Sequence, residues 1–192
     1  KRYRMSRTSW RGIRFRFEGT FKEITILIAK GWLINILTLG LYYPYYLNQF
    51  QSYWTSRSSF GNIDFNYDGQ GKDVFQIWIK GILFSIITFG IYLFWLKANL
   101  HRYFWKHTMY SDTRIVSNLY GGIWLKESLI YILQVIFTFG FGMAWAEVRY
   151  KKFYLETFRL EGKINLTEIK QSEARWTGAT GEGMADFFDV EM

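Results

Sequence analysis

The chain has 192 residues, 49% hydrophobic and 21% aromatic, with a formal net charge of +8. That apolar content excludes a disordered, collagen-like or mucin-like chain, because such chains lack large apolar side chains. The absence of cysteine excludes a disulfide-stapled module, thiolate catalysis and cysteine-based zinc or iron–sulfur sites.

Residues 1–20 hold Lys1, Arg2, Arg4, Arg7, Arg11, Arg14 and Arg16 against Glu18. Such basicity points to nucleic acid, anionic lipid or an acidic partner. The chain starts at Lys1, without Met and without a signal-peptide pattern, and reads as a fragment of a longer chain or as processed. Ile13, Phe15 and Phe17 alternate with Arg14, Arg16 and Glu18. Period two with one apolar face predicts a half-buried strand.

Three apolar segments follow. Gly31 to Ser56 has no formal charge, Val74 to Leu96 has only Lys80, and Ser128 to Ala146 has none. About 20 apolar residues span a bilayer core as a helix, so each segment reads as a membrane helix. Aromatics and then cations at a helix end mark a membrane interface. Tyr42, Tyr92, Trp95, Trp145, Arg102 and Arg149 are the candidate interfacial anchors. Lys30 and Lys80 are candidate membrane-buried or lipid-headgroup charges, within snorkelling reach of a segment end. The mean hydropathy of −0.07 is low for a membrane protein, and the polar connections account for it.

The segments belong to a repeat. Thr38-Leu39-Gly40, Thr88-Phe89-Gly90 and Thr138-Phe139-Gly140 recur at a spacing of 50. Phe15 to Gly19 matches Phe65 to Gly69 at the same spacing, and Phe158 to Gly162 resembles both, seven residues early. Such periodicity marks repeated structural units. The units are 1–20 (an incomplete repeat), 21–70, 71–120, 121–171 and an acidic tail, 172–192. Ile63, Phe65 and Tyr67 alternate with Asp64, Asn66 and Asp68, which predicts a second strand, either in the same small sheet as 13–17 or in a separate, unrelated hairpin. Opposite charges on the two strands favour pairing. If each segment crosses once, those strands lie on opposite sides and cannot pair. A break at Thr38, Gly40, Thr88, Gly90, Thr138 and Gly140 would keep all polar pieces on one side. A kink or close helix packing fits Thr-x-Gly better than a full reversal.

Thr38 to Tyr45 (TLGLYYPY), Thr88 to Trp95 (TFGIYLFW) and the looser Thr138 to Trp145 (TFGFGMAW) resemble the YjgN family of bacterial inner-membrane proteins, as do Arg2-Tyr3, Arg102-Tyr103 and the acidic stretch Gly181 to Asp189. Tyr45 in place of Trp, Gln51-Ser52 in place of a basic exit and a degenerate third polar piece depart from the family pattern. The resemblance implies a multi-pass inner-membrane location and a C-terminal portion of a longer chain. It supplies no activity, cofactor or catalytic residue.

The chemistry-bearing residues form no recognisable site. His101 and His107 do not share a helical face, the acidic tail lacks the EF-hand rhythm, and no P-loop or G-x-S-x-G is present. No catalytic, metal-ligating or cofactor-binding residue is assigned, and no cofactor is expected. The expectation is a membrane α-helical, multi-span repeat protein with short β-strand connections, not an enzyme, contacting anionic lipid and serving transport or scaffolding. Homo-oligomerisation is an open option, and no nucleic acid is expected. The alternatives are a membrane-embedded lipid-acting enzyme and a soluble basic nucleic-acid-binding protein.

Overall fold

Each apolar segment is split near its middle by a turn. In the computed structural model, which describes residues 9–10, 13–111 and 113–162, the chain runs β1 (Ser9–Trp10), β2 (Ile13–Phe17), α1 (Phe21–Leu37), α2 (Tyr43–Ser56), β3 (Ser58–Phe60), β4 (Ile63–Tyr67), α3 (Gly71–Ile87), α4 (Leu93–Lys106), β5 (Thr108–Tyr110), β6 (Thr113–Ser117), α5 (Gly121–Phe137), α6 (Met143–Glu156) and β7 (Phe158–Glu161). Residues 1–8, the side chain of Arg14 and the acidic tail 172–192 lie outside the described residues, as does the end of the unit 121–171.

The break is a Schellman closure. Leu39 N–H donates to the Ile36 carbonyl (3.2 Å) and Gly40 N–H to the Asn35 carbonyl (2.8 Å). The same pair recurs as Phe89 to Ile86 (3.3 Å) with Gly90 to Ser85 (2.7 Å), and as Phe139 to Ile136 (3.0 Å) with Gly140 to Val135 (2.9 Å). Threonine completes the turn from both sides. Thr38 Oγ1 donates to the Ile34 carbonyl (2.7 Å) and accepts from Tyr42 N–H (3.2 Å). Thr88 and Thr138 repeat both bonds. The chain therefore reverses fully, where a kink or close packing was expected. Gly31 lies against Tyr46 and Glu23 pairs with Arg57 at 3.0 Å. Contacts that pair ever more distant residues away from the turn define an antiparallel helical hairpin.

The multi-span expectation is overturned by these lengths. The longest described helices have 17 residues, about 26 Å at 1.5 Å per residue, against a hydrocarbon core of about 30 Å. No described helix is long and apolar enough to cross a membrane. The transmembrane and multi-pass descriptions fall with it. Three helical hairpins alternate with the strands of one antiparallel sheet, ordered β1-β2-β3-β4-β5-β6-β7.

Because two helices separate β2 from β3, the chain returns to the end of the sheet it left. Strands 13–17 and 63–67 do share a sheet, with β3 between them. Their charges do not face each other: Arg16 and Asp64 both lie opposite Ser59, and Arg16 Nε donates to Ser59 Oγ at 3.3 Å. Phe15 pairs with Phe60 and Phe65 with Tyr110 across the ladders. Their rings form a continuous apolar face, with Phe15–Phe60 centroids 4.5 Å apart and Phe65–Tyr110 5.0 Å. The third copy of the 13–17 strand is Thr113–Ser117, and Phe158–Glu161 instead continues the series of Ser58–Phe60 and Thr108–Tyr110.

Glycine admits close helix contact within and between repeats. An added Cβ at Gly81 would sit 2.9 Å from Leu96 Cβ, and one at Gly121 would sit 2.6 Å from Trp95 Cα. Gly81→Val should destabilise the chain by about 1–3 kcal/mol through overpacking. Gly40→Ala, which has open space at φ +86, should cost about 1 kcal/mol of backbone strain. Chemical denaturation of the two variants gives the comparison.

Candidate functional site

The hairpin turns put three bulky apolar residues at the end of the molecule away from the sheet. Leu39, Phe89 and Phe139 occupy the left-handed position of the Schellman closure, with φ of 52°, 49° and 49°. Glycine or asparagine is the usual occupant there, since a Cβ costs roughly 1–2 kcal/mol. The three side chains pack on nothing: they are 94%, 97% and 93% exposed. Leu37, Leu41, Ile87, Ile91, Phe137 and Phe141 surround them and are exposed as well.

The anchors divide between the tips and the helix interfaces. Tyr92 stacks near Phe84 (5.1 Å) and Trp95 (6.0 Å) beneath the second tip. Tyr42 bonds Gln49 Nε2 through its hydroxyl at 2.8 Å. Trp95 packs on Gly121 of the next repeat, whereas Trp145 is exposed beside the third tip. Arg149 pairs with Glu127 inside the third hairpin. Lys30 and Lys80 are exposed on α1 and α3, about 12 Å below their tips at 1.5 Å per residue.

One cavity gathers several of these groups. A space of about 510 Å³ between α3, α4 and the end of β6 is lined by Lys80, Phe84, Tyr92, Arg102, Lys106 and Tyr120, together with Asn99, Ser117 and Asn118. Arg102 and Lys106 are one turn apart on α4. The Arg102 guanidinium lies over the Tyr120 ring, 4.7 Å from its centroid, and Nη2 donates to Asn99 Oδ1. Its Nε–H is buried without an acceptor. None of the described lining residues is a carboxylate.

The corner behind the cavity is a fixed polar junction. Asp68 accepts from Arg114 Nη2 at 3.0 Å and bonds His107 Nδ1 at 2.6 Å. Burial pushes its carboxyl up, but His107 and Arg114 outweigh burial and hold it below the usual carboxylate range. Tyr103 accepts from Gln70 N–H at 2.8 Å and lies 3.0 Å from Asp73 Oδ2. Burial first, and then the Asp73 carboxylate, push its hydroxyl up to about 12. It stays a neutral hydroxyl at physiological pH.

The exit motifs and the repeat register point to one family. A family described as a bacterial protein of unknown function (DUF898), the YjgN family, matches residues 1–68, 62–122 and 111–187. The chain belongs to this family. No curated protein and no solved structure matches it. The three stretches of DUF898 similarity run along the repeated units, and the cavity of this DUF898 chain lies in the middle one. Lys80, Tyr92 and Arg102 come together there, and Lys30, Trp145 and Arg149 do not. Sequence reasoning passed over Tyr120 and Asn118. The available signal was the repeat itself: Ser52, Ser56, Asp68 and Gln70 stand where Arg102, Lys106, Asn118 and Tyr120 stand one unit later.

Proposed function

We propose that this protein is a one-sided membrane-surface scaffold, whose hairpin tips enter one leaflet of an anionic bilayer while the sheet stays in water. The observation that carries this reading is the trio Leu39, Phe89 and Phe139. A strained backbone position holds a fully exposed apolar side chain in each repeat. Folding gains nothing from that choice, and a lipid surface does.

The depth is consistent. An interfacial helix buries its apolar part by roughly 5–10 Å, and Lys30 and Lys80 stand about 12 Å from the tips, at headgroup level. The formal charge of +8 adds attraction to anionic lipid. Among bacterial membranes the inner one is our proposed location. Of scaffolding and transport, a contact from one side supports scaffolding.

The absence of native cysteine permits a direct test. Phe89→Cys and Asn62→Cys are each labelled with an environment-sensitive thiol probe, and anionic vesicles are added. The expected result is a blue shift at position 89 and none at 62. No shift at 89, or equal shifts at both, would overturn the reading. A shift at 89 that grows with protein concentration, without vesicles, would assign the tips to contact between copies of the chain.

A further inference from the structure

We propose that the cavity between α3, α4 and the end of β6 binds the phosphate group of an anionic amphiphile, with Lys80, Arg102 and Lys106 as its cationic lining. This rests on the membrane reading only for the source of the amphiphile.

Its volume, about 510 Å³, falls in the roughly 300–1,000 Å³ range of small-molecule sites. The lining is graded. Phe84 and Tyr92 supply apolar surface on the tip side, while Arg102, Lys106, Ser117 and Asn118 supply polar groups toward the sheet. An acyl chain leaving such a site along Phe84 would reach the exposed Ile87 and Phe89.

Three cations line one cavity with no carboxylate in the described lining, while the nearby carboxylates are engaged elsewhere, Asp68 with His107 and Arg114 and Asp73 with the Tyr103 hydroxyl. Arg102 is held by Asn99 on one side and by the Tyr120 ring on the other. Its buried Nε–H has no acceptor. An orphaned buried donor costs about 1–3 kcal/mol, so an oxygen that enters the cavity and accepts from it is favoured by a similar amount. Guanidinium and phosphate match in geometry and charge.

The repeats show that the scaffold does not require these charges. In the first unit Ser52 and Ser56 replace Arg102 and Lys106, and Asp68 replaces Asn118. In the third unit Lys152 and Glu156 hold the same two positions, a cation and an anion 4.0 Å apart. The same hairpin folds with either set. The arginine, the lysine and the uncharged asparagine are thus particular to the middle unit, where the cavity lies.

The test is calorimetric titration of the full chain without a bilayer, using monomeric dihexanoyl phosphatidic acid, dihexanoyl phosphatidylcholine, glycerol 3-phosphate and inorganic phosphate. One phosphatidic acid per chain is expected, bound more tightly than inorganic phosphate. Lys80→Gln and Lys106→Gln, both exposed and outside the packed core, should each weaken it about tenfold, and Arg102→Gln ten- to hundredfold. Thermal melts establish that each variant is folded. Equal affinity for phosphatidic acid and inorganic phosphate would assign the site to free phosphate and overturn the amphiphile. No saturable binding, or binding that the Lys80 and Lys106 substitutions leave unchanged, would overturn the site. Soluble binding without vesicle binding would strike the membrane reading and leave the site standing.

Discussion

Replacing Leu39, Phe89 and Phe139 together by glycine is expected to separate folding from membrane binding. Each side chain sits at φ near +50° and packs on nothing, so its removal deletes no core contact. Glycine relieves a left-handed strain of roughly 1–2 kcal/mol per site, partly offset by the greater freedom it gives the unfolded chain. The triple variant should therefore melt at or above the temperature of the unsubstituted chain. A Leu or Phe side chain moved from water into an apolar medium contributes about 1.5–3 kcal/mol. Loss of three should weaken vesicle flotation by at least roughly a hundredfold. Most apolar-to-glycine changes lower stability and binding together, so opposite signs identify the tips as a surface for another phase. A triple variant that melts far lower would show that the tips serve the fold instead.

Acid is expected to loosen the junction between the second and third repeats before it touches the rest. His101 lies among the rings of Trp105, Trp124, Tyr154 and Phe158. Its Nε2 is 2.6 Å from the Tyr154 hydroxyl, and Nδ1 is buried without a partner. Burial disfavours the imidazolium and pulls the ring down to about 4 from 6.5. The unfolded chain then binds the proton first, so stability falls as pH drops through that interval. The loss is absent above about pH 6.5 and reaches on the order of 3 kcal/mol near pH 4, a large share of a typical total. His101→Phe, which needs no proton and no partner, should flatten the stability profile over that interval. Asp68 acts in a lower window. Its depressed carboxyl contributes stability above its unfolded value, lost only as pH falls through the lower folded one. Denaturant midpoints at pH 7, 5.5 and 4 for the parent and for His101→Phe separate the two groups. A slope unchanged in His101→Phe would rule out the ring as its source.

The repeat and the first two inner strands were legible because they rest on strict spacing and strict alternation, as in Phe15-Arg16-Phe17 and Phe65-Asn66-Tyr67. The strand Thr113–Ser117 was not, since its buried ends are Thr113 and Ser117, small polar residues that erase the apolar alternation. The helix reversal was hidden for a related reason. A Schellman closure announces itself by glycine at its left-handed position, but here glycine stands one residue later, and Leu39, Phe89 and Phe139 extend the hydropathy across the turn. Apolar content alone cannot tell a single long helix from two short ones folded back. The basic cavity could not be read from spacing, because Lys80 on α3 and Tyr120 after β6 line one space only once the α3–α4 hairpin and the sheet are folded together.

The return of every hairpin to the same sheet has a consequence for how such chains grow. A unit with a single crossing would, on duplication, invert the orientation of everything downstream. A unit of two antiparallel helices and two strands inserts with no such inversion. Gene duplication can therefore lengthen or shorten the array while every tip keeps its heading. Each copy is then free to diverge in charge, as the middle one has at Arg102 and Lys106.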